Sequence, residues 1–149
     1  MSKIVDIQDA MNTIIESALP SYVMLSDAYD TTDNANIHLE KGYSTGFGSA
    51  VRGGNDFCKG DVDIERNLVV ALTNVYTPNL DATYRQDLEQ GLMDDHFAML
   101  AQIECNPTLN QNCITSSYEA DQGIEYLADD RKQYIVIFTN FLIRYIERV

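Results

Sequence analysis

Gln133-Tyr134-Ile135-Val136-Ile137-Phe138-Thr139-Asn140-Phe141-Leu142-Ile143-Arg144-Tyr145-Ile146 is the stretch whose reading decides the fold. It is dense in β-branched and aromatic residues and holds no Gly or Pro, which predicts a strand. At about 3.4 Å per residue it would run for more than about 40 Å, against a usual strand of about 5–6 residues. Alternation places Ile135, Ile137, Phe141, Ile143 and Tyr145 on one face and Val136, Phe138, Leu142 and Ile146 on the other. Both faces are apolar. Helices can cover one of them; the second face and the excess length call for another partner.

Moving outward, Arg66–Tyr76 repeats the anomaly, with Leu68, Val70 and Leu72 on one side and Val69, Ala71 and Val75 on the other, until Thr77-Pro78-Asn79 stops it. Ile37–Val51 is strand-like, and its frequent glycines indicate bulges or close backbone approach. Arg52–Asp63 is a long hairpin tip or flexible loop, and Asp61–Glu65, alternating acid with aliphatic, fits an edge strand with a wet face. Cys113–Glu119 is a further strand, followed by Ala120–Leu127 and a turn at Ala128–Arg131. Ile4, Ile7, Met11, Ile14, Ile15, Ala18 and Leu19 recur at helical spacing up to Pro20. A capping box at Thr83–Gln86 opens a second helix reaching about Glu104. Its apolar arc comprises Leu88, Leu92, Met93, Phe97, Met99, Leu100 and Ile103, with His96 inside the arc as a buried or half-buried structural histidine. The resulting order α-β-β-α-β-β predicts one α+β domain over residues 1–149. Its mainly antiparallel sheet has about four strands and is covered on one face by two helices. The final strand should lie between Arg66–Tyr76 and Cys113–Glu119.

Charge narrows the function classes. With 10 Lys+Arg against 23 Asp+Glu in 149 residues, the formal net charge is −13, and such a surface repels phosphate backbones and disfavours sequence-independent nucleic-acid binding. Met1-Ser2-Lys3-Ile4-Val5-Asp6 carries acid where a secretion signal needs an apolar run, and no segment reaches membrane-spanning length. Cys58, Cys105 and Cys113 are odd in number and form no CxxC pair, which favours reduced thiols and disfavours a zinc site, although Cys105 and Cys113 flank one loop and could bridge.

The inventory for catalysis is thin. There are two histidines, His38 and His96, and no GxSxG, HExxH or glycine-rich loop opening a helix. Asp27–Asn34 suggests a calcium loop, but aligning Asp30, Thr32 and Asn34 as ligands puts Ala35 at the turn glycine and Lys41 at the bidentate glutamate. A solvated loop is the better reading. Asp94-Asp95-His96 are adjacent on a helix and so point in different directions. The expectation is a structural or binding protein without catalytic, cofactor or metal residues.

The order of elements, with Asp121-Gln122-Gly123-Ile124-Glu125-Tyr126-Leu127 and Tyr134-Ile135-Val136-Ile137-Phe138 leading into Phe141-Leu142-Ile143-Arg144-Tyr145, resembles the tail terminator (tail completion, or neck) proteins of tailed bacteriophages. The likeness rests on order and hydrophobic pattern over most of the chain, including Gly42-Tyr43, and not on a diagnostic motif. It implies a ring of copies, six in that family, at the head-proximal end of the tail tube. Such a ring would stop tube polymerisation, meet a head-side connector protein, let DNA pass only through its lumen, and have no membrane role. The virion neck, and the host cytoplasm during assembly, would be its location. The subunit contacts expected are Tyr43, Phe47, Arg52, Phe57, Val69, Phe138 and Leu142. The alternatives are a stopper or other head-completion subunit, a small soluble ligand-binding or enzyme domain, and an acidic host-takeover protein that imitates DNA.

Overall fold

In a computed structural model, which describes residues 3–25, 41–53, 60–76, 82–128 and 133–148, the long C-terminal run is a single strand of 16 residues. The elements in chain order are α1 (Lys3–Ala18), β1 (Val23–Met24), β2 (Lys41–Arg52), β3 (Asp61–Tyr76), α2 (Ala82–Glu104), β4 (Thr115–Ala128) and β5 (Gln133–Arg148). They build an α+β domain with a five-stranded sheet ordered β1-β2-β3-β5-β4. This corrects the expected architecture in two respects. There is a fifth strand, β1, and it pairs parallel to β2 through Val23–Gly42 and Met24–Tyr43, so the order is α-β-β-β-α-β-β and the sheet is mixed. A two-residue strand carries too little periodicity to be seen in sequence.

β3 and β5 form the spine. Their antiparallel ladder runs without a bulge from Asp61–Arg148 to Tyr76–Gln133, and β4 flanks β5 on the other side. Asp61–Glu65 is therefore not an edge strand but the start of β3, paired to β5 and, from Ile64 onward, to β2. Its alternation still has meaning. Val62 and Ile64 take the helix-side face, while Asp61, Asp63 and Glu65 take the opposite one.

The helix-side face holds the core. Leu68, Val70 and Leu72 of β3 and Ile135, Ile137, Phe141, Ile143 and Tyr145 of β5 pack with Ile7, Met11, Ile14 and Ile15 of α1 and Leu92, Met99 and Ile103 of α2. The α2 arc is narrower than its composition predicts. Leu92, Met99 and Ile103 are fully buried and His96 is 3% exposed, but Met93 and Phe97 point outward at 41% and 72% exposure. Tyr22, just before β1, ties α2 to the sheet: its hydroxyl donates to the Asp95 carboxylate at 2.7 Å and lies 3.1 Å from the Asn74 side chain. Burial first, and Asp95 second, raise this phenol well above its usual range.

The loop after α2 is locked by unusual backbone. Leu109, Asn110 and Gln111 have φ of 46°, 58° and 68°, a conformation costly for residues with a Cβ. Asn106 accepts from the Asn110 amide at 3.0 Å, and Leu109 is driven into the core at 0% exposure.

Candidate assembly surfaces

The second face of the sheet, expected to need a neighbour, is partly closed within the single chain. Val136 and Ala71 are buried at 0% and 3% exposure, with Leu127 and Phe138 packed against them. Tyr134, Thr73 and Ser44 are buried as well, and the Thr73 hydroxyl donates to the Gly42 carbonyl at 3.1 Å. Further along, Val69, Phe138 and Leu142 are only half-buried, and they share the face with Asn67 and Asn140. The ladder brings Val69, Phe138 and Leu142 together, but in a mixed patch with no large exposed apolar side chain.

That face ends in an ion pair between a buried acid and a half-buried arginine. The Asp63 side chain is fully buried and meets Arg144 through a fork of 3.2 and 3.0 Å. A Cβ on Gly53 would lie 2.3 Å from the Asp63 carboxylate, so glycine is the residue that leaves this carboxylate room.

The exposed apolar side chains gather instead on the two flanks. On one side lie Val23 and Met24 of β1 and Phe47 and Val51 of β2, at 47%, 56%, 46% and 62% exposure. β1 pairs only with Gly42 and Tyr43 of β2, so among the described residues no strand pairs with the distal half of that edge. There the β2–β3 arm forms a shallow groove of about 340 Å³ lined by Ala50, Val51, Arg52, Val62, Ile64 and Arg66. Arg66 is held by the Gly48 carbonyl at 3.2 Å and the Tyr145 hydroxyl at 3.2 Å.

The opposite flank is the β4 edge together with α2. Glu89, Met93, Phe97, Leu100 and Glu104 fall on one stripe of the helix by their spacing. Both ends of the stripe touch β4. Glu89 accepts from the Tyr126 hydroxyl, and Glu104 accepts from the Tyr118 amide at 2.9 Å. Met93 and Phe97 thus line up beside Tyr118, Tyr126 and Ile114, which are 39%, 40% and 42% exposed.

The flanks differ in charge. β2 (KGYSTGFGSAVR) has two basic residues and no acid. β4 (TSSYEADQGIEYLA) has Glu119, Asp121 and Glu125 and no base, and α2 adds Asp87, Glu89, Asp94, Asp95 and Glu104 against Arg85 alone. Asp121 is held ionised: its carboxyl lies below its usual range, first through the Tyr118 hydroxyl and then through the Gly123 amide.

The residues expected at contacts therefore separate. Tyr43 is corrected: its side chain is wholly buried in the core and donates to Glu16 at 2.7 Å, so it has no surface to offer a neighbour. Phe47 and Arg52 are exposed on the β2 edge. Val69, Phe138 and Leu142 lie on the mixed second face, and Phe57 lies outside the described residues, as do Cys58, Asp27–Asn34, Thr77–Asn79 and the turn at 129–131. Sequence reasoning missed Met93 and Phe97 as surface residues because it placed them in the core arc. The acid-free β2 segment and the base-free β4 segment were the legible signal.

Among the described residues, no group of three or more His, Cys, Asp and Glu is placed to hold a metal, and no helix is long and apolar enough to cross a membrane. Compared with protein-family models and with curated proteins, the chain matches none.

Proposed function

We propose that this chain is a structural subunit that works by assembly: a phage tail terminator that forms a ring, a hexamer by the family it resembles, at the head-proximal end of the tail tube. One observation carries the reading. Among the described residues the subunit has two flanks that are both apolar but opposite in charge, the acid-free β2 edge and the predominantly acidic β4–α2 edge, where Arg85 is the one base. Head-to-tail association of two different patches generates a ring when the rotation closes, whereas a self-complementary patch would give a dimer. The likeness in element order supplies the tail-tube setting. Tube protein and a head-side connector would be the partners, and some of the 23 acidic residues would line the lumen, where negative charge would not retain passing DNA.

The test is to add the purified chain to growing tail tubes and image them. Tubes of defined length ending in a ring are expected. Tubes that lengthen without limit and carry no cap would overturn the reading, and a ring structure with a neutral or basic lumen would remove the acidic-channel part.

A further inference from the structure

The location of the contact can be taken one step further, and this step rests on the ring-forming reading. We infer that the Glu89–Met93–Phe97–Glu104 stripe of one copy seats in the groove of the β2–β3 arm of the next copy, with Phe97 against Ala50, Val62 and Ile64.

Phe97 at 72% exposure is an exposed aromatic on an otherwise well-formed helix, and aromatics that lose their water on docking are common anchors of protein contacts. The arm supplies the matching cavity, with apolar Ala50, Val62 and Ile64 on one face of the arm, Val51 at its margin, and a basic rim from Arg52 and Arg66. Arg66 is already positioned by its bonds to Gly48 and Tyr145, which lowers the ordering cost of using it in a contact. Asp94 and Glu104, exposed beside Phe97 on α2, bring the opposite sign. Acid meets arginine around an apolar centre, which is the arrangement that sets register and rejects self-pairing of either flank.

Both edges also carry irregularities that argue against a simple strand-to-strand extension of the sheet. β2 shifts register between Phe47 and Ala50, and β4 shifts between Tyr118 and Ala120 and again between Asp121 and Ile124. Bulges of this kind interrupt the row of donors and acceptors that another strand needs. Side-chain docking is left as the mode of contact.

The experiment uses two full-length variants, F97D and A50D. Both positions are exposed, so far-UV circular dichroism should match the parent chain. Each variant alone should sediment as a monomer under conditions in which the parent multimerises. Mixed together, the intact arm of F97D meets the intact helix stripe of A50D. One good interface then remains, and a discrete heterodimer is expected. A mixture that stays monomeric, or a variant that still multimerises alone, overturns the contact. A parent that is itself monomeric at millimolar concentration is tested by a short bis-maleimide on mixed A50C and F97C chains whose native cysteines are replaced by serine. A linked heterodimer supports the contact and its absence overturns it. None of these readouts needs a tail tube. A heterodimer without tube capping would therefore retain the interface and discard the tail-terminator reading, while capped tubes without the heterodimer would do the reverse.

Discussion

His96 shows how a single residue ties the fold to pH. It is 3% exposed, its Nε2 lies 2.9 Å from the Thr139 hydroxyl, and its ring meets Tyr118 edge-on at 6.4 Å between centroids. Burial lowers its affinity for a proton, and the nearby Asp121 charge opposes this only partly. Its neighbours on α2, Asp94 and Asp95, are the other acids close in sequence, and Asp95 is engaged with Tyr22 and Lys41. The folded chain therefore holds His96 neutral at a pH where the unfolded chain, with an ordinary histidine near about 6.5, takes up a proton. Stability contributed by the neutral form is complete above that value and falls as pH drops below it, with a slope of at most about 1.4 kcal/mol per pH unit. The stability gap between the parent and His96→Gln should narrow from pH 7.5 to pH 5 in urea melts. A gap that is constant with pH would show that His96 does not take part in this linkage.

At the scale of elements, α2 offers a direct comparison between buried and exposed apolar positions. Leu92 is fully buried in the core, so Leu92→Ala should cost about 2–5 kcal/mol. Phe97→Ser, one helical turn away and outside the core, should change monomer stability by no more than about 0.5 kcal/mol. Urea denaturation of both variants checks the pair, and a large loss at Phe97 would place it inside the monomer core. The same helix marks where sequence reading stops. β5, and β3 from Arg66 onward, were legible, down to their adjacency and their two apolar faces, because an unbroken run of β-branched residues has few other interpretations. Asp61–Glu65 was not, because its acids suggested a wet edge. An apolar arc of half a helix does not say which part of it is buried. That is settled by what the sheet presents, here Leu68, Leu72 and Phe141, and Met93 and Phe97 fall beyond its reach. Leu109 errs the other way, a loop residue pulled into the core by a left-handed turn that local sequence does not announce. β4 reads as one strand and an indistinct continuation because its register shifts break the alternation between Tyr118 and Ile124.

For the whole molecule, two electrostatic effects of opposite sign bear on assembly. Each copy carries a formal charge of −13, so copies repel at long range, while the proposed contact joins acids of α2 to Arg52 and Arg66 at short range. Salt distinguishes them, because the screening length is about 10 Å at 0.1 M and about 30 Å at 0.01 M. Repulsion between whole subunits acts over the longer distances and is removed first; pairs partly shielded from water around Phe97 are screened less. Association of the parent chain should therefore strengthen as salt rises from about 10 mM to about 150 mM, and weaken toward 1 M, where the screening length is only about 3 Å. Arg52→Glu adds two units of negative charge and removes part of the basic rim, so it should weaken association at every salt concentration and deepen the low-salt minimum. Sedimentation velocity across the series measures both curves. If association instead falls steadily from the lowest salt upward, local attraction dominates at all distances and the net charge of the subunit does not restrain assembly. If Arg52→Glu follows the parent curve, the basic rim of the arm is not at the contact, and the ring would have to close through the mixed face that holds Val69, Phe138 and Leu142.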